Sequence, residues 1–514
     1  MKSFAFMILV ACVTGALGLS AATLRVPTEY STIQTAIERA ASGDTVLVEA
    51  GTYHEAIILK PQVVLRSKRG ANVTRIDGTG LPLKATGVRM AAGSVLRGFT
   101  VANFGNYDEA KWNHHHATSG DEQSHEHIGV AGNAGILIQG VDCEVRDNIV
   151  HHIGRTGIGI EGTCSPKIVA NTCYRNMGGG IGSMNGSTAL IRDNICFENF
   201  YAGIGHDNAS PLVVSNLCHG NIRAGIGVSE GSCAIVRSNL CHSNRRAGIG
   251  IRTGANTKPT IEFNTCRDNG MAGIGVEEEA NPTIRGNRCH GNGLTGIGLQ
   301  EHASATIVQN ECYENGQSGI GLSQDSSATI RGNHIHHNKA SGIGFARCKK
   351  GKAVIEDNRL LENAKVAAGV NPGWTVVFKN NEFSRTGGMP PLMMIFGGSD
   401  VTFTGNTFRG GGVAGIRVQG SVKAAGNRFE GTNMRRVGPP NYAIWALPGA
   451  DIQFADNTVS GWRHAIYADR AKVIASGNEV SGCPKVAFRL QHPVAGSKVS
   501  GNNVDCHREL QVDK

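Results

Sequence analysis

The chain has 514 residues, with 70 Gly, 14 Cys and a formal net charge of +9 at pH 7. A positive charge of this size suits an anionic partner, such as an acidic polysaccharide or a cell-surface glycan, although it can also serve solubility alone. We find no nucleic-acid-binding motif, and no apolar run beyond the N-terminus is long enough to cross a bilayer. We therefore expect neither a nucleic-acid-binding nor a transmembrane protein, and we expect a monomer.

The N-terminus predicts export. A basic start is followed by an apolar run over 4–19 that ends in small residues, which is the pattern of a secretory signal. We expect 1–22 to be a signal peptide and the protein to be secreted or periplasmic. The segment Leu9-Val10-Ala11-Cys12 also resembles a lipoprotein cleavage box, so lipid anchoring through Cys12 is the alternative.

From Asn148 to Asn358 the sequence repeats about every 23 residues. Each repeat places an Asn, then Cys or another apolar residue, then usually a second Asn, and then Gly-Ile-Gly or a close variant. Short apolar stretches with period-2 spacing alternate with these Asn and Gly residues, and no sustained helical pattern is present. The repeat predicts a solenoid with three short strands per turn, each paired in parallel with its copy one turn later. We expect Asn at the bends because it tolerates left-handed backbone angles and its amide can bond its counterparts.

The sequence before the repeat carries a second signature. It consists of Val26-Pro27-Thr28 through Ile33–Ile37, followed by Gly43–Val46 and Ala50–Tyr53. With the repeat, these segments resemble the right-handed parallel β-helix family of the pectate-lyase-like superfamily, and most of all its short-repeat, NosD-type branch. The resemblance implies an all-β fold, a right-handed parallel β-helix with an N-terminal capping helix. It implies little about activity, since this superfamily hosts many chemistries.

The predicted domain organisation follows from the extent of the resemblance. One elongated β-helix is expected over 24–505, with regular rungs over 143–363 and less regular rungs over 364–505. Residues 506–514 are expected to be a C-terminal tail.

Seven Cys occupy the same position in consecutive repeats. Val150, Ile335 and Leu360 take this position in other rungs, so we expect the row to face the core as small buried side chains. Stacked Cβ atoms would lie ~4.8 Å apart with parallel vectors, which disfavours disulfides. A row of thiolates for a soft metal is the alternative. Cys483 and Cys506, one turn apart, are the better disulfide candidates. The row contains Cys173, Cys196, Cys218, Cys241, Cys266, Cys289 and Cys312.

Two further rows are expected on the outside. Rings recur three residues after most of these Asn, with Arg267 in the place of one ring, and sugars bind such flat surfaces; mutual stacking of strand aromatics is the alternative. Arg recurs in alternate rungs two residues before the Asn, either to meet an acidic glycan or to avoid like-charge neighbours. The candidate substrate-binding residues in these rows are Tyr174, His219, His242, His290, Tyr313 and Arg237, and Arg192 is a candidate catalytic cation.

The Gly-Ile-Gly strand predicts a surface strip without side chains. In polysaccharide-active relatives the equivalent sheet forms the floor of the substrate groove. Carboxylates along one edge could act as acid and base, bind Ca²⁺, or form a solvated rim. They are Glu161, Asp207, Glu230, Glu277, Glu278, Glu301 and Asp325.

His206 interrupts this strand at a position that is expected to face inward. Ser183 precedes it by one rung, and Asp207 is its outward neighbour. A buried His satisfied by Ser is one interpretation, and a catalytic His206 with Asp207 is the other.

The insertion at 104–133 interrupts the coil before the glycine-rich strand. Its His, carboxylate and Trp residues could hold Zn²⁺ or Cu²⁺, transfer a proton through His116, or close over a sugar through Trp112. A flexible polar loop is the alternative. The candidate metal ligands are His114, His115, His116, His125 and His127, and the cofactor, if any, is Ca²⁺ or a transition metal.

These observations favour a secreted β-helix protein that binds acidic polysaccharide and, in one hypothesis, cleaves it by lyase or hydrolase chemistry. The motif sets of pectate lyases, polygalacturonases, pectin methylesterases and alginate epimerases are missing from the sequence. A non-catalytic glycan-binding or surface-structural β-solenoid is the first alternative. A metal-handling accessory protein of the NosD type is the second.

Overall fold

Strands of this protein pair in parallel with strands one turn away, in three separate sheets. The computed structural model describes residues 21–121, 134–432 and 434–513. In each full turn of the solenoid the chain forms one strand in each of three sheets, which we name A, B and C in the order of the chain. The predicted solenoid with three strands per turn is confirmed. Residues 1–20 of the predicted signal peptide, including Cys12, lie outside the described residues.

Sheet A has 20 strands. At ~4.8 Å per strand its length is about 90 Å. The strands are Thr23–Val26, Thr45–Val48, Val64–Ser67, Val95–Arg97, Glu144–Arg146, Lys167–Val169, Leu190–Arg192, Leu212–Val214, Ile235–Arg237, Thr260–Glu262, Thr283–Arg285, Ser304–Val308, Ser327–Arg331, Gly351–Glu356, Trp374–Lys379, Asp400–Thr404, Ser421–Ala425, Asp451–Ala455, Lys472–Ser476 and Lys498–Val499.

Sheet B follows sheet A after a short bend in each turn. Its strands are Gly51–Tyr53, Thr74–Asp77, Thr100–Ala102, Ile149–His151, Thr172–Tyr174, Ile195–Phe197, Leu217–His219, Leu240–His242, Thr265–Arg267, Arg288–His290, Glu311–Tyr313, His334–His336, Arg359–Leu361, Glu382–Arg385, Thr407–Gly410, Arg428–Gly431, Thr458–Ser460, Glu479–Ser481 and Asn503–Asp505.

Sheet C carries the Gly-Ile-Gly segments. Its last strand pairs with Val486–Gln491, so the solenoid extends through most of the segment that was predicted to be a tail. The strands are Ile57–Ile58, Val88–Arg89, Ile136–Gln139, Ile158–Glu161, Ile181–Met184, Ile204–Asp207, Ile226–Ser229, Ile249–Ile251, Ile274–Val276, Ile297–Leu299, Ser318–Leu322, Ser341–Phe345, Val366–Val370, Met393–Ile395, Ala414–Val418, Tyr442–Ala446, His464–Asp469, Val486–Gln491 and Arg508–Asp513.

The structure has two helices within the described residues, Ile33–Arg39 and Glu109–Ala117. The first begins after Thr32, whose hydroxyl accepts a hydrogen bond from the backbone N–H of Thr35, and it buries Ile33 and Ile37. A helix is therefore present in the predicted segment, and its role as an end cap stays a prediction.

Asn side chains form a continuous hydrogen-bonded ladder at the bend between sheets A and B. Asn216 Nδ2 donates to Asn239 Oδ1 over 3.0 Å, and Asn239 Nδ2 donates to Asn264 Oδ1 over 2.9 Å. The predicted amide ladder is confirmed. The left-handed backbone angle, however, belongs to the residue before each Asn, such as Ser238 with φ 55°. The Asn stands at this position for its amide and not for its backbone freedom.

The seven-Cys row lies in the core, and all of its thiols are free and buried. Burial raises the pKa of Cys196 and Cys218 well above the usual range, whereas hydrogen bonds with neighbouring thiols lower the pKa of Cys241 and Cys289 to about 5. The whole row lies in the core, where an unpaired anion is strongly disfavoured, and this burial favours the thiol form over a thiolate row for a metal. Cys483 and Cys506 are also free thiols. Burial, followed by a hydrogen bond with Cys506, raises the pKa of Cys483, so these two lie together and their oxidation stays a prediction.

We expect a thiol reagent to modify exposed Cys233 in the native protein and to leave the seven-Cys row unmodified until the protein is unfolded. Mass spectrometry of peptides after labelling with and without denaturant measures this difference. Rapid native labelling of Cys241 or Cys266 would contradict the burial of the row.

Candidate functional site

A groove of about 590 Å³ runs along the outer face of sheet C. With ~4.8 Å per rung, it is about 29 Å long. The second Gly of the Gly-Ile-Gly segments forms its floor, so the predicted strip without side chains is confirmed over these rungs. Gly227, at one end of the floor, is buried, as are Gly159, Gly182 and Gly205 in the preceding rungs. The floor glycines are Gly227, Gly250, Gly275, Gly298, Gly321, Gly344 and Gly369.

The two glycines of each Gly-Ile-Gly segment have different environments. A Cβ atom on the first, Gly273, would lie 2.7 Å from the Gly296 carbonyl oxygen and 2.9 Å from Asn292 Nδ2. A Cβ atom on the second, Gly275, would meet no heavy atom closer than 4.0 Å. The first glycine is therefore required by the packing between turns, whereas the second glycine at Gly250 and Gly275 leaves space that the fold does not use. In the later rungs a Cβ atom on Gly298, Gly321 or Gly344 would lie 2.7–2.8 Å from a side-chain atom of Thr295 or Ser318.

Side chains at two fixed offsets from the floor glycines form the walls of the groove. One wall lies four residues before each glycine, at the bend from sheet B, and the other lies two residues after it. Both carry charged residues in the early rungs and mainly polar or apolar residues later. The first wall contains Arg223, Arg246, Met271, Leu294, Gln317, Ala340 and Lys365, and the second contains Arg252, Glu277, Gln300, Ser323, Ala346 and Asn371.

Three arginines converge at one end of the groove. Burial, followed by the neighbouring Arg246 and Arg252, lowers the pKa of Arg223 to about 10. Arg252 Nη2 lies 2.8 Å from Glu278 Oε1. This end therefore brings three guanidinium groups together in a partly desolvated place, where electrostatic interactions are stronger than in water, and carboxylates lie beside two of them, Glu278 at Arg252 and Asp121 at Arg246.

Glu277 lies in the wall beside these arginines. Burial raises its pKa, although Arg252 acts in the opposite direction. Carboxylate oxygens of Glu277, Glu278 and Glu301 lie within 4.8 Å of one another. Of the edge carboxylates predicted from the sequence, only Glu277 lines the groove itself. Asp207, a predicted catalytic residue, does not line it, and burial followed by Glu230 raises the pKa of Asp207.

The insertion docks on the bend between sheets B and C. Trp112 is 3% exposed and packs against Phe200 and Ile222, and its Nε1 donates to the Glu198 carbonyl oxygen over 2.9 Å. The guanidinium of Arg175 lies 4.2 Å from the Trp112 ring centroid. Trp112 therefore anchors the helix Glu109–Ala117, and its burial prevents the predicted contact with a sugar.

The insertion also contacts the groove. Arg246 Nε donates to the Ser119 carbonyl oxygen over 3.0 Å, and Arg246 Nη2 lies 3.8 Å from Asp121 Oδ1. Arg246 is a wall residue, so the insertion holds one of the three groove arginines in place.

The histidines of the insertion do not converge on one ion in the described part of the chain. Consecutive helix residues point about 100° apart; His114 is exposed, and His115 is buried with its ring 4.8 Å edge-on from Phe200. His116 stacks on Trp112 at 4.7 Å, and burial, followed by Arg245, lowers the pKa of His116. These three side chains therefore have different surroundings, and the predicted metal site of the insertion stays a prediction. The candidates His125 and His127 lie outside the described residues.

His206 lies inside the solenoid. It is 0% exposed, its Nδ1 is 2.8 Å from Ser183 Oγ, and burial lowers its pKa to about 3. The side chain is thus a neutral core histidine bonded to Ser, as one of the two interpretations expected. It faces away from the groove, so we assign it no role there.

The outer rings of sheet B stack on one another. Tyr174 and Phe197 have ring centroids 4.8 Å apart, and His219 and His242 have centroids 5.1 Å apart at an angle of 4°. His290 and Tyr313 stack in the same way. Because each ring covers the face of the next, this row presents mainly ring edges to solvent, and stacking of a sugar on these faces is blocked within the row.

The arginines of sheet A are paired with neighbouring carboxylates. Arg192 Nε lies 3.0 Å from Asp193 Oδ2, and Arg237 and Arg285 both contact buried Glu262 from the rungs on either side. This alternation fits the avoidance of like-charge neighbours. Neither Arg192 nor Arg237 lines the groove on sheet C.

Sequence reasoning missed the groove arginines Arg223, Arg246 and Arg252. The sequence could have indicated them, because Arg223 and Arg246 lie four residues before a floor glycine and Arg252 lies two residues after one. These positions vary among Arg, Met, Leu and Gln, and this variation hides them in a search for repeated residues.

The comparison with protein families agrees with the fold. The chain matches the family described as "Right handed beta helix region" over residues 123–258 and 242–383, just over half of its length. The chain therefore belongs to this family. No curated protein sequence matches it, and the NosD-type branch stays a prediction.

Several solved structures resemble the chain at low similarity. The mannuronan C-5 epimerase AlgE4 A-module of Azotobacter vinelandii has 15% identity over 91% of this chain and 95% of its own, with a TM-score of 0.26. The GH87 alpha-1,3-glucanase catalytic unit of Streptomyces thermodiastaticus strain HF3-3 has 12% identity over 70% and 61%, with a TM-score of 0.32. The Dettilon tailspike protein has 14% identity over 85% and 70%, with a TM-score of 0.32. These values are too low to assign an activity to this chain.

Among the described residues, no helix is long and apolar enough to cross a membrane.

Proposed function

We propose that this protein binds an extended acidic polysaccharide in the groove over sheet C. The observation that carries the proposal is a floor without side chains, flanked by Arg223, Arg246 and Arg252 at one end and by Lys365 at the other. The export signal predicted over 1–22 would place the protein outside the cytoplasm, where such polymers occur.

The shape of the groove favours a polymer. It is open and about 29 Å long at ~4.8 Å per rung, so it accepts several sugar units of one chain in succession. Small residues beside the floor, such as Ala247 and Ala272, allow the apolar faces of sugar rings to approach the backbone. Gln300 and Gln317 in the walls offer amides for sugar hydroxyls, as in carbohydrate sites with few placed polar groups.

The charge of the groove favours an acidic ligand. Guanidinium groups bind carboxylates through paired hydrogen bonds and are the usual choice for that task. Burial, followed by repulsion from Arg246 and Arg252, lowers the pKa of Arg223. A ligand carboxylate would offset this repulsion, and the overall charge of +9 adds long-range attraction.

Cleavage of the polymer is the second candidate function, and Glu277 favours it. Burial raises the pKa of this carboxyl group beside the groove, as is found for general acids in glycoside-cleaving sites. Arg252 would neutralise the uronate carboxylate. Glu277→Gln should then retain binding and lose cleavage, measured as reducing ends or as the absorbance of unsaturated ends.

We expect binding to uronate polymers to exceed binding to neutral polymers and to weaken as salt rises. Arg252→Ala should weaken binding at least about tenfold, since a charge-assisted pair contributes about 1.5–3 kcal/mol. Arg331→Ala is the matched control, because Arg331 is exposed on sheet A, outside the groove. Calorimetric titration with polygalacturonate, alginate and a neutral glucan measures these affinities.

Two outcomes would contradict the proposal. One is the absence of binding to every acidic polymer, which would favour a surface-structural role. The other is an equal loss of affinity in Arg252→Ala and Arg331→Ala, which would show a response to net charge and not to the groove.

A further inference from the structure

We propose that Glu311, His334 and His336 form a binding site for a divalent transition-metal ion, with Zn²⁺ as the reference ion. The site lies on the outer face of sheet B and is separate from the groove on sheet C. It does not involve the histidines of the insertion.

The register of two neighbouring strands brings these three residues together. Glu311 pairs with His334, and Tyr313 pairs with His336, in the parallel ladder between Glu311–Tyr313 and His334–His336. Ile335 between the two histidines is fully buried, and since side chains alternate along a strand, both histidines face outward. A His-x-His segment over a carboxylate one rung away is therefore a rigid arrangement set by the sheet.

The distances are near those of a metal site. Glu311 Oε1 lies 3.6 Å from His336 Nε2 and 3.8 Å from His334 Nδ1, and one ligand atom from each residue lies within 4.8 Å of the other two. A Zn²⁺ ion held tetrahedrally at ~2.0–2.1 Å separates its ligand atoms by about 3.3–3.4 Å. Small side-chain rotations would close the difference.

The hydrogen bond of His336 with His337 is compatible with a metal ion between His336 Nε2 and Glu311. Nδ1 of His336 lies 2.9 Å from Nδ1 of His337, so one of these nitrogens must carry a proton. When His336 Nδ1 donates, its Nε2 presents a lone pair toward Glu311, and this Nε2 is buried without a hydrogen-bond partner. In this tautomer two lone-pair atoms face each other and a cation between them would satisfy both, as in metal sites whose histidines donate their other N–H.

The surroundings orient the carboxylate. Arg288 Nε donates to Glu311 Oε2 over 2.9 Å, which leaves Oε1 for the ion. Tyr313 stacks on His336 with centroids 5.0 Å apart and restrains its ring. Arg359, the other nearby cation, is paired with Glu382 at 3.0 Å. Two imidazoles and one carboxylate suit Zn²⁺, Ni²⁺ or Cu²⁺ better than Ca²⁺ or Mg²⁺, and they leave a position open for water.

The test uses full-chain protein stripped of metal with a chelator. We expect Zn²⁺ titration followed by calorimetry, and metal analysis after dialysis, to show one ion that is lost in the double variant His334→Ala, His336→Ala. Glu311→Gln, which keeps the shape of the side chain, should weaken Zn²⁺ binding at least tenfold. His242→Ala is the matched control, because His242 is a stacked ring of the same sheet outside the triad.

Co²⁺ gives a second readout, since its visible absorption reports nitrogen and oxygen ligation at the site. The band should appear in the native protein and in His242→Ala, be absent from the double His variant, and require at least tenfold more Co²⁺ in Glu311→Gln. Failure of the native protein to bind Zn²⁺, or equal Zn²⁺ binding in native protein and Glu311→Gln, would overturn the proposal. A direct contact between the His336 Nε2–H and the Glu311 carboxylate would then explain the geometry. Polysaccharide binding is measured separately and is expected to be unchanged in Glu311→Gln.

Discussion

Gly275→Val is expected to abolish polysaccharide binding while leaving the stability of the fold unchanged or slightly higher. The new side chain would stand in the floor of the groove, where a Cβ atom meets nothing closer than 4.0 Å. The backbone there is an ordinary strand, which favours Val over Gly. Glycine within a strand costs about 0.5–1 kcal/mol relative to Ala, so folding alone does not explain the wild-type residue, and the proposed binding role would.

Gly273→Ala is the control for this prediction, only two residues away. Its Cβ atom would lie 2.7 Å from the Gly296 carbonyl oxygen and 3.0 Å from Cys289 Cβ. Overpacking of this kind typically costs about 1–3 kcal/mol. Calorimetric titration and urea unfolding should therefore separate the two variants. If Gly275→Val bound polymer as well as wild type, the groove would not be the binding site.

Gly250→Val extends the test to the charged end of the groove. Its Cβ atom would have only Ala224 Cβ within 4 Å, at 3.7 Å, so the fold should tolerate it. We expect it to weaken binding as Gly275→Val does, because it stands between the arginine-bearing walls. Retained binding in this variant alone would restrict the ligand to the later rungs.

Asn239→Ala is expected to destabilise the protein strongly. Asn239 Oδ1 accepts from the backbone N–H of Asn216 over 2.9 Å, and its Nδ2 donates to the Val213 carbonyl oxygen over 3.0 Å. Both partners are backbone groups at a buried bend. A buried polar group without a partner costs about 1–3 kcal/mol, so losing both bonds costs about 2–6 kcal/mol. Each turn contacts only its neighbours in a solenoid, so the loss also weakens adjacent turns.

The measurement is the urea midpoint of unfolding, followed by circular dichroism. Asn281→Ala is the matched control, since Asn281 is exposed and a surface substitution usually changes stability by less than about 0.5 kcal/mol. Equal midpoints for the two variants would show that the amide ladder contributes little to stability.

The insertion links two parts of the molecule that the repeat alone does not connect. Trp112 fixes its helix on the bends of sheet B, and the segment that follows the helix contacts Arg246 in the groove wall. The interruption of the repeat thus supports the groove from the side, without placing its Trp in the groove.

Much of the fold could be predicted from the sequence because each turn repeats the same pattern of apolar, Asn and Gly residues. The alternation of apolar residues determined that the Cys row faces inward and that the second glycine of each segment faces outward. The amide ladder at Asn216 and Asn239 followed from equal spacing in successive turns. The positions of His206 beside Ser183 and of the stacked rings also followed from this register.

The candidate site could be predicted only in part. The sequence determined where side chains point, since that depends on period-2 alternation within one short strand. It did not determine the contacts that fall outside the register of the repeat, such as those of the insertion with the bends and with Arg246. Only the tertiary structure shows that the surroundings of Gly273 and Gly275 differ, that the rings of sheet B cover one another's faces, and that Trp112 is buried. It also gathered Arg223, Arg246 and Arg252 at one end of the groove, since the spacing between turns and the docking of the insertion decide which surfaces remain open to a ligand.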